Sequence, residues 1–507
     1  VGINPRVHSR RVGRGRHANR NSASLQGAMS SWLRSVVSRR EADTQLERSA
    51  ERALDLYHND AMAHGVLESL LVEAVGIGLT PQPAPKTEWM GRDAQWEADF
   101  QAAALRVWEE WGLDCRHWCD ATRRQNYYGL QGLSYLNWKL LGLGVNQVIA
   151  KPRPGAPLST CLLPIDPFRV VTPTDASAAS EIYDGVEVDR DGEPTHVWIR
   201  KPNVSGLRPR SGDCKRLPVW DEVTGLPRLL LVSDVRNIAE YRQDSILGPM
   251  ISEIRHSNDL AEAAVVGAMV RNMYTMFVQD FGQGTISKST PWDQRVVNTE
   301  NGQILLGSGK EKPTFFQHDA APSRYSEMFG AIVDRLGMAT GRGAENVSRK
   351  YQASYSASKA SMEKADQFNE SEHRILNDRF SQPAWAWMLY EASLRGRLPL
   401  SRKEFLDNLH ACTACEHLPQ PFRQIDREKA AKADVLELAN NTTTRRELFG
   451  RKGRDWRDQL RQAAIEKKFI RELEAEYGVS LSASDQATAS TESDDKEPDD
   501  KEADDES

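Results

Sequence analysis

The chain has 507 residues, more than one hydrophobic core usually organises, so two or more domains are expected. Its 39% hydrophobic and 27% charged residues are ordinary for a globular protein, and no apolar run is long enough to cross a bilayer, which excludes a helical membrane span. Six scattered cysteines do not make a disulfide framework, and the net charge of −6 conceals a polarity between the two ends.

Residues 1–40 hold nine Arg and no acid, a basic arm suited to nucleic acid or an acidic protein surface, or else a solvated terminus. The stretch VGINPRVHSRRVGRGRHANR lacks the apolar core of a secretory signal, so a cytoplasmic place of synthesis and assembly is expected. From Glu41 to Gly76, Leu46, Ala50, Leu54, Val66, Leu70 and Leu71 recur at helical intervals, and Asn59-Asp60 breaks the run into two amphipathic helices. LTPQPAPKTEW then reads as a Pro-rich linker, and AQWEADFQAAALRVWEEWG as a helix with Trp108 and Trp111 on one core-facing side.

Between residues 145 and 235 the hydrophobic period shortens towards two, and Asp191-Gly192 between alternating runs is a hairpin signal. Residues 246–278 return to a helical period. Met250, Ile254, Ala261, Val265 and Met269 form much of an apolar stripe there, and Ala263, Ala264, Gly267 and Ala268 permit close approach of a neighbour. An excursion of strands and loops over 279–322 leads to a second helix, SRYSEMFGAIVDRLGMATG. A long helix follows, kinked or interrupted near Pro383, and the C-terminal third stays mostly helical, with Thr444 to Glu447 at capping-box spacing. Residues 485–507, with eleven acids and two Lys, are too charged and too poor in apolar residues to fold. The fold class is α+β, mainly helical.

Enzyme motifs are missing. GQGTISKST places Ser287 where a phosphate-binding loop needs Gly before its Lys, and GSGK at 307–310 is followed by Glu311 in place of a metal-binding hydroxyl. His410, Cys412, Cys415 and His417 are four potential ligands within eight residues, a span that rarely lets all four reach one tetrahedral ion. Cys115, His117 and Cys119 are a looser set that a loop or core role explains. No HExxH, nucleophile elbow or GxGxxG is present, so no catalytic residue, metal or cofactor is expected.

What remains is GRGAENVSRK, a basic segment bounded by Gly341 and Gly343, whose glycines suggest mobility and whose Arg342, Arg349 and Lys350 could meet phosphates without reading sequence. Taken alone, an ordinary solvated connection explains it as well. It does not stand alone. RALDLYHNDAMAHGVLESLLVEAVGIGLTPQP, WEEWGLDCRHWCD, LLPIDPFRVVTP, YDGVEVDRDGEPTHVWI, YRQDSILGPMISEIRHSNDLAEAAVVGAMVRNMYTMFV, YSASKASMEKADQF and IDREKAAKADVLELANNTTTRRELFGRKGRDWRD occur in this order. Together the set resembles the lambda-type portal proteins of tailed bacteriophages. The chain departs from the family pattern at GLGV, at RQDS, at Lys359 where Arg is usual, and at Ile425-Asp426-Arg427, which lacks Pro.

The resemblance implies a portal-type fold. The wing would span 41–245, stem helices 246–278 and 323–340, and a clip 279–322 between them. A tunnel loop would follow at 341–355, then a long wing helix and connection at 356–424 and a helical crown at 425–480, with tails at 1–40 and 481–507. It implies a virion component, a ring of about twelve copies at one capsid vertex, closed by a repeated head-to-tail contact. Double-stranded DNA would pass through the ring. Its partners would be the terminase large subunit, the major capsid and scaffold proteins and the head-tail connector. Arg342, Arg349, Lys350, Tyr351 and Tyr355 would edge the channel, and Ala353, Ala357, Ser358 and Ala360 would pack subunits. Alternatives are a virion ring or scaffold component without DNA contact, and a nucleic-acid enzyme.

Overall fold

The computed structural model describes residues 39–176, 181–202, 209–236, 240–280, 291, 296–299, 302–308, 322–348, 350, 355–419, 427–452, 454 and 456–478. The basic arm up to residue 38 and the acidic tail therefore lie outside the described residues.

Helices α1 (Arg39–Asn59) and α2 (Ala61–Ala74) meet at the expected break, where the Asp60 carboxylate caps α2 by accepting from the Ala63 amide at 2.6 Å. The expected Pro-rich linker is instead strand β1 (Thr80–Pro83), paired antiparallel with a segment more than 300 residues later. Short α3 (Thr87–Met90) leads to α4 (Ala94–Trp108), which ends in a π-helical turn at Glu109–Leu113. Trp108 and Trp111 are both buried, as their spacing predicts, and the Trp111 indole donates to the Thr160 carbonyl at 2.7 Å. Helix α5 (Tyr127–Leu141) follows.

The period-two region folds into two sheets. Strands β2 (Gly144–Ala150) and β3 (Thr160–Ile165) pair antiparallel, and β8 (Leu229–Val232) adds to the other edge of β2. Between them, β4 (Ile182–Tyr183), β5 (Val186–Val188), β6 (Pro194–Arg200) and β7 (Cys214–Pro218) form an antiparallel meander. The β5–β6 turn contains Asp191-Gly192, and the Asp189 carboxylate accepts from the Asp191 and Glu193 amides at 2.9 and 2.8 Å. Arg242, buried beneath this unit, donates to the Leu141 carbonyl at the end of α5.

Helix α6 (Ile251–Met273) leaves the body and runs into β9 (Tyr274–Asp280), so the long helix stops five residues short of the expected 278. Strands β10 (Val296–Thr299) and β11 (Gly302–Ser308) complete a three-stranded sheet in which β11 lies parallel to β9. Helix α7 (Pro322–Thr340) returns alongside α6, with Arg335 paired to Glu253 at 2.6 Å. After α8 (Ala344–Ser348) comes α9 (Tyr355–Leu376), then a π-helical turn at Asn377–Ser381 and α10 (Gln382–Leu394). Pro383 follows directly on that π-helical turn, in a run whose backbone stays helical through Ser381 and Gln382, so the turn is where the ladder accommodates its missing N–H.

Short α11 (Arg402–Asp407) and α12 (Leu409–Thr413) lead to β12 (Cys415–Leu418), the partner of β1. Helices α13 (Arg427–Ala439), α14 (Arg445–Arg451) and α15 (Trp456–Tyr477) complete the chain. Thr444 caps α14, but the Glu447 side chain bonds the Thr443 hydroxyl at 3.2 Å. One large core joins α1, α2, α4, α5 and α10 through Ala53, Leu67, Leu70, Phe100, Tyr127 and Trp385. A smaller one, around Val145, Val186, Val197 and Leu229, lies between the two sheets.

Candidate nucleic-acid interface and its anchor

The basic segment begins where α7 stops. The Gly341 and Gly343 backbones take φ of 75° and 81°, a left-handed conformation that L side chains seldom adopt. The Gly343 amide donates to the Gly337 carbonyl at 3.1 Å, so the chain reverses tightly and α8 starts against the last turn of α7. The glycines thus serve a compact corner where the sequence suggested a mobile loop. A Cβ on Gly341 would come within 2.4 Å of the Phe368 ring, so α9 closes the corner from the other side.

Arg342, expected at a channel surface, is buried within its own subunit. Its side chain is 1% exposed. The guanidinium lies 3.2 Å from the Glu73 carboxylate on α2 and 2.6 Å from Glu372 on α9, and it donates to the Asn369 side-chain amide oxygen at 3.0 Å. Glu372 also accepts from the Tyr135 hydroxyl at 2.6 Å and pairs with Lys139 at 2.7 Å, both on α5. The Lys139 ammonium lies 3.6 Å from the centroid of the Trp138 ring. A full positive charge buried this deeply is tolerated only when paired, and here two cations meet two carboxylates.

The titration shifts follow. Burial alone would raise the Glu372 carboxyl, but the Lys139 and Arg342 charges outweigh it and hold the group below its ordinary value. Burial lowers Lys139, with Glu372 acting against it. Burial and the Glu372 charge push the Tyr135 phenol well up.

Past α8, Lys350 is exposed, and its amide donates to the Ser348 hydroxyl at 3.4 Å. Arg349, Tyr351 and Ala353 lie outside the described residues. Tyr355 opens α9 and Ala357 lies in its first turn, while Ser358 is half-buried and Ala360 exposed. The structure thus separates Arg342 from Lys350 and joins it to Glu73, Tyr135, Lys139, Asn369 and Glu372, which sequence reasoning missed. One signal was available. Ala365, Asn369, Glu372 and Leu376 recur at a four-three-four spacing, so two polar groups share a helical stripe with buried Ala365 and Leu376.

The other sequence candidates fall apart in space. His410 stacks on Trp89 with centroids 5.7 Å apart, while the Cys412 sulfur lies 3.4 Å from that of Met90. His417 is buried beside the Trp385 ring, and burial pushes its pKa down to about 3. Cys119 is buried, its thiol directed at the Gly112 carbonyl. Among the described residues, no group of three or more His, Cys, Asp or Glu could hold a metal ion. The 282–290 segment lies outside the described residues, and Gly307 and Ser308 end β11.

The apolar stripe of α6 carries a further signal. Met250, just ahead of the helix, and Ile254 are buried, but Val265, Val266 and Met269 are 57%, 51% and 62% exposed. On α7, Met328 and Phe329 are exposed too. Among the described residues, Val265, Val266, Met269 and Met328 thus leave apolar surface exposed along this pair of helices. The sequence pattern of the family described as "Phage portal protein, lambda family" matches residues 25–372, more than half of the chain. The chain belongs to this family. It is a helix-dominated α+β portal protein, a ring component of the virion at a capsid vertex.

No curated protein sequence matches this portal protein. Among solved structures, a chain from the virion of a native gene transfer agent particle is 12% identical at a TM-score of 0.39, covering 80% of this chain and 92% of that one. A chain from the neck of the empty particle, computed with C6 symmetry, is 12% identical over 67% of this chain and 81% of that one, TM-score 0.36. One from the neck of the native particle, computed with C12 symmetry, is 14% identical over 69% and 80%, TM-score 0.37.

Proposed function

We propose that about twelve copies of this portal protein close head to tail around a channel for double-stranded DNA, entered during packaging and left during ejection. The wing is residues 41–245, the stem α6 and α7, the clip the β9–β11 excursion, and the crown α13 to α15. The observation that carries the ring is the exposed apolar surface of α6 and α7. Val265, Val266, Met269 and Met328 continue a stripe that starts buried, and in a family of ring proteins a second copy covers it.

DNA contact falls to Arg349 and Lys350, with Tyr351 and Tyr355 beside them, while Ala353, Ala357, Ser358 and Ala360 pack against the neighbouring copy. Contact with phosphates alone lets duplex of any sequence slide. The clip is the docking face for the terminase large subunit and then the head-tail connector, and the wing meets the major capsid and scaffold proteins. The protein performs no catalysis itself, and it assembles in the host bacterial cytoplasm.

Negative-stain images of the purified chain test the ring: class averages with a central hole and a countable rotational order are expected, and a lone globule at every concentration would end the proposal. For the channel, Arg349→Ala with Lys350→Ala should leave rings intact yet lower DNA affinity and flatten its salt dependence. Deleting 341–355 would be a poorer test, because it removes the buried Arg342.

A further inference from the structure

We infer that Arg342 is a positioning residue. It latches the α7–α8 corner to the wing helices α2 and α5 and to α9, and so sets where Lys350 is held. This rests on the reading of Lys350 as channel-facing. The latch has three attachment points on three elements, namely Glu73 on α2, Glu372 on α9 with Asn369 one turn before it, and, through Glu372, Tyr135 and Lys139 on α5. The Arg342 carbonyl accepts from the Asn346 side chain at 2.8 Å, and the same amide group reaches the Ser361 carbonyl at 3.2 Å. Asn346 on α8 thereby ties the Arg342 main chain to α9, while the Arg342 side chain ties the corner to the body.

Only seven residues separate Arg342 from Lys350, and α8 fills most of them, so Lys350 moves with the corner rather than independently. A planar guanidinium can address Glu73, Asn369 and Glu372 together, whereas a Lys ammonium could not hold the same fork. The elements it joins differ in burden. α2 and α5 belong to the main core, and α7 continues into the helix pair that leaves the body. A load placed on Lys350 is therefore delivered to the wing at Glu73 and Glu372.

The test uses assembled rings of the full chain carrying Lys350→Cys, alone or with Arg342→Gln, Glu372→Gln or both. A maleimide probe reads the accessibility of the introduced thiol with and without duplex DNA of random sequence, and amide hydrogen exchange reads α8 against the core amides of α5 and α10. With the latch intact, DNA should protect that thiol. Either single latch substitution should abolish the protection and speed α8 exchange by about tenfold or more while α10 stays unchanged, because losing one partner of a buried ion pair shifts a local equilibrium by more than that factor. The double latch variant should be no worse than either single one, and Arg342→Lys should fall between them and the wild type.

Glu372→Gln separates the readings, since it frees Arg342 while keeping its charge. Tighter DNA binding by this variant would make Arg342 a direct DNA contact and overturn the latch. Unchanged α8 exchange in both single variants, or equal loosening of α8 and α10, would overturn it too. If DNA never protects the thiol in rings that carry Lys350→Cys alone, the channel assignment falls, and the exchange data still decide the latch.

Discussion

Two glycines on one helix make a matched experiment on the α7–α8 corner. A Cβ built at Gly330 meets nothing within 4 Å, whereas one at Gly337, two turns later, would lie 2.3 Å from the Ala344 nitrogen and 2.5 Å from the Gly343 carbonyl carbon. Those are backbone atoms and cannot swing aside. Contacts under 3.0 Å are essentially unknown for a real Cβ, so the corner must open by about 0.7 Å. Gly→Ala in a helix interior gains about 1 kcal/mol from backbone entropy at either site. At Gly330 that gain stands alone. At Gly337 it is opposed by an overpacking cost of about 1–3 kcal/mol, to which the stretched Arg342 hydrogen bonds add about 1 kcal/mol. The propensity gain cancels in the comparison, so Gly337→Ala should be about 2–4 kcal/mol less stable than Gly330→Ala. Amide exchange of α8 and of the last two turns of α7, measured on the same oligomeric fraction, reads the difference locally, which matters because a chain this long need not unfold in two states. Equal exchange in the two variants would show that α8 does not cross α7 at Gly337, and the anchored corner would go with it.

Three more outcomes follow from other parts of the chain. Burial pushes the His417 imidazole down to about 3 and lowers His373 as well. Unfolded imidazoles titrate near ~6.5, so the unfolded state binds more protons below that pH, and stability is lost as pH falls from there towards 3. His417→Phe should flatten that slope in urea titrations between pH 6.5 and 4, and an unchanged slope would refute the assignment. Arg446→Ala removes donors to the Gln82 and Pro83 carbonyls at 3.3 and 3.1 Å, so α14 should exchange faster, by ~1–3 kcal/mol in local opening energy, with α5 unaffected. Trp111→Phe strands the Thr160 carbonyl in the core and should cost ~1–3 kcal/mol, seen as a lower urea midpoint; a neutral result would mean that the 2.7 Å bond is not formed.

Local rules made much of the architecture legible, and long-range pairing did not. The break at Asp60, the Asp191-Gly192 hairpin and the interruption before Pro383 depend on a few adjacent residues whose conformational preferences show in the sequence. Strand β1 could not be read this way. TPQP looks like a linker because Pro weakens any strand signal, and it becomes a strand only because CEHL pairs with it from the far end of the chain. The site failed for a related reason. GRGAENVSRK reads as a run of cations between glycines, and nothing local marks its first cation as buried and Lys350 as exposed. The burial of Arg342 is decided by Glu73, Tyr135, Lys139 and Glu372, which lie on three other helices and hundreds of residues apart at the extremes. Glu73 and Lys139 look like ordinary surface residues in their own helices, and only the stripe shared with Ala365 and Leu376 hints at Glu372. Only the close crossing at Gly337 and the left-handed turns at Gly341 and Gly343 swing Arg342 into their midst. The glycines beside this arginine thus act by a different physics from the mobility that the sequence suggests: their freedom in φ turns a charge inward, and the exposed Lys350 comes one short helix later.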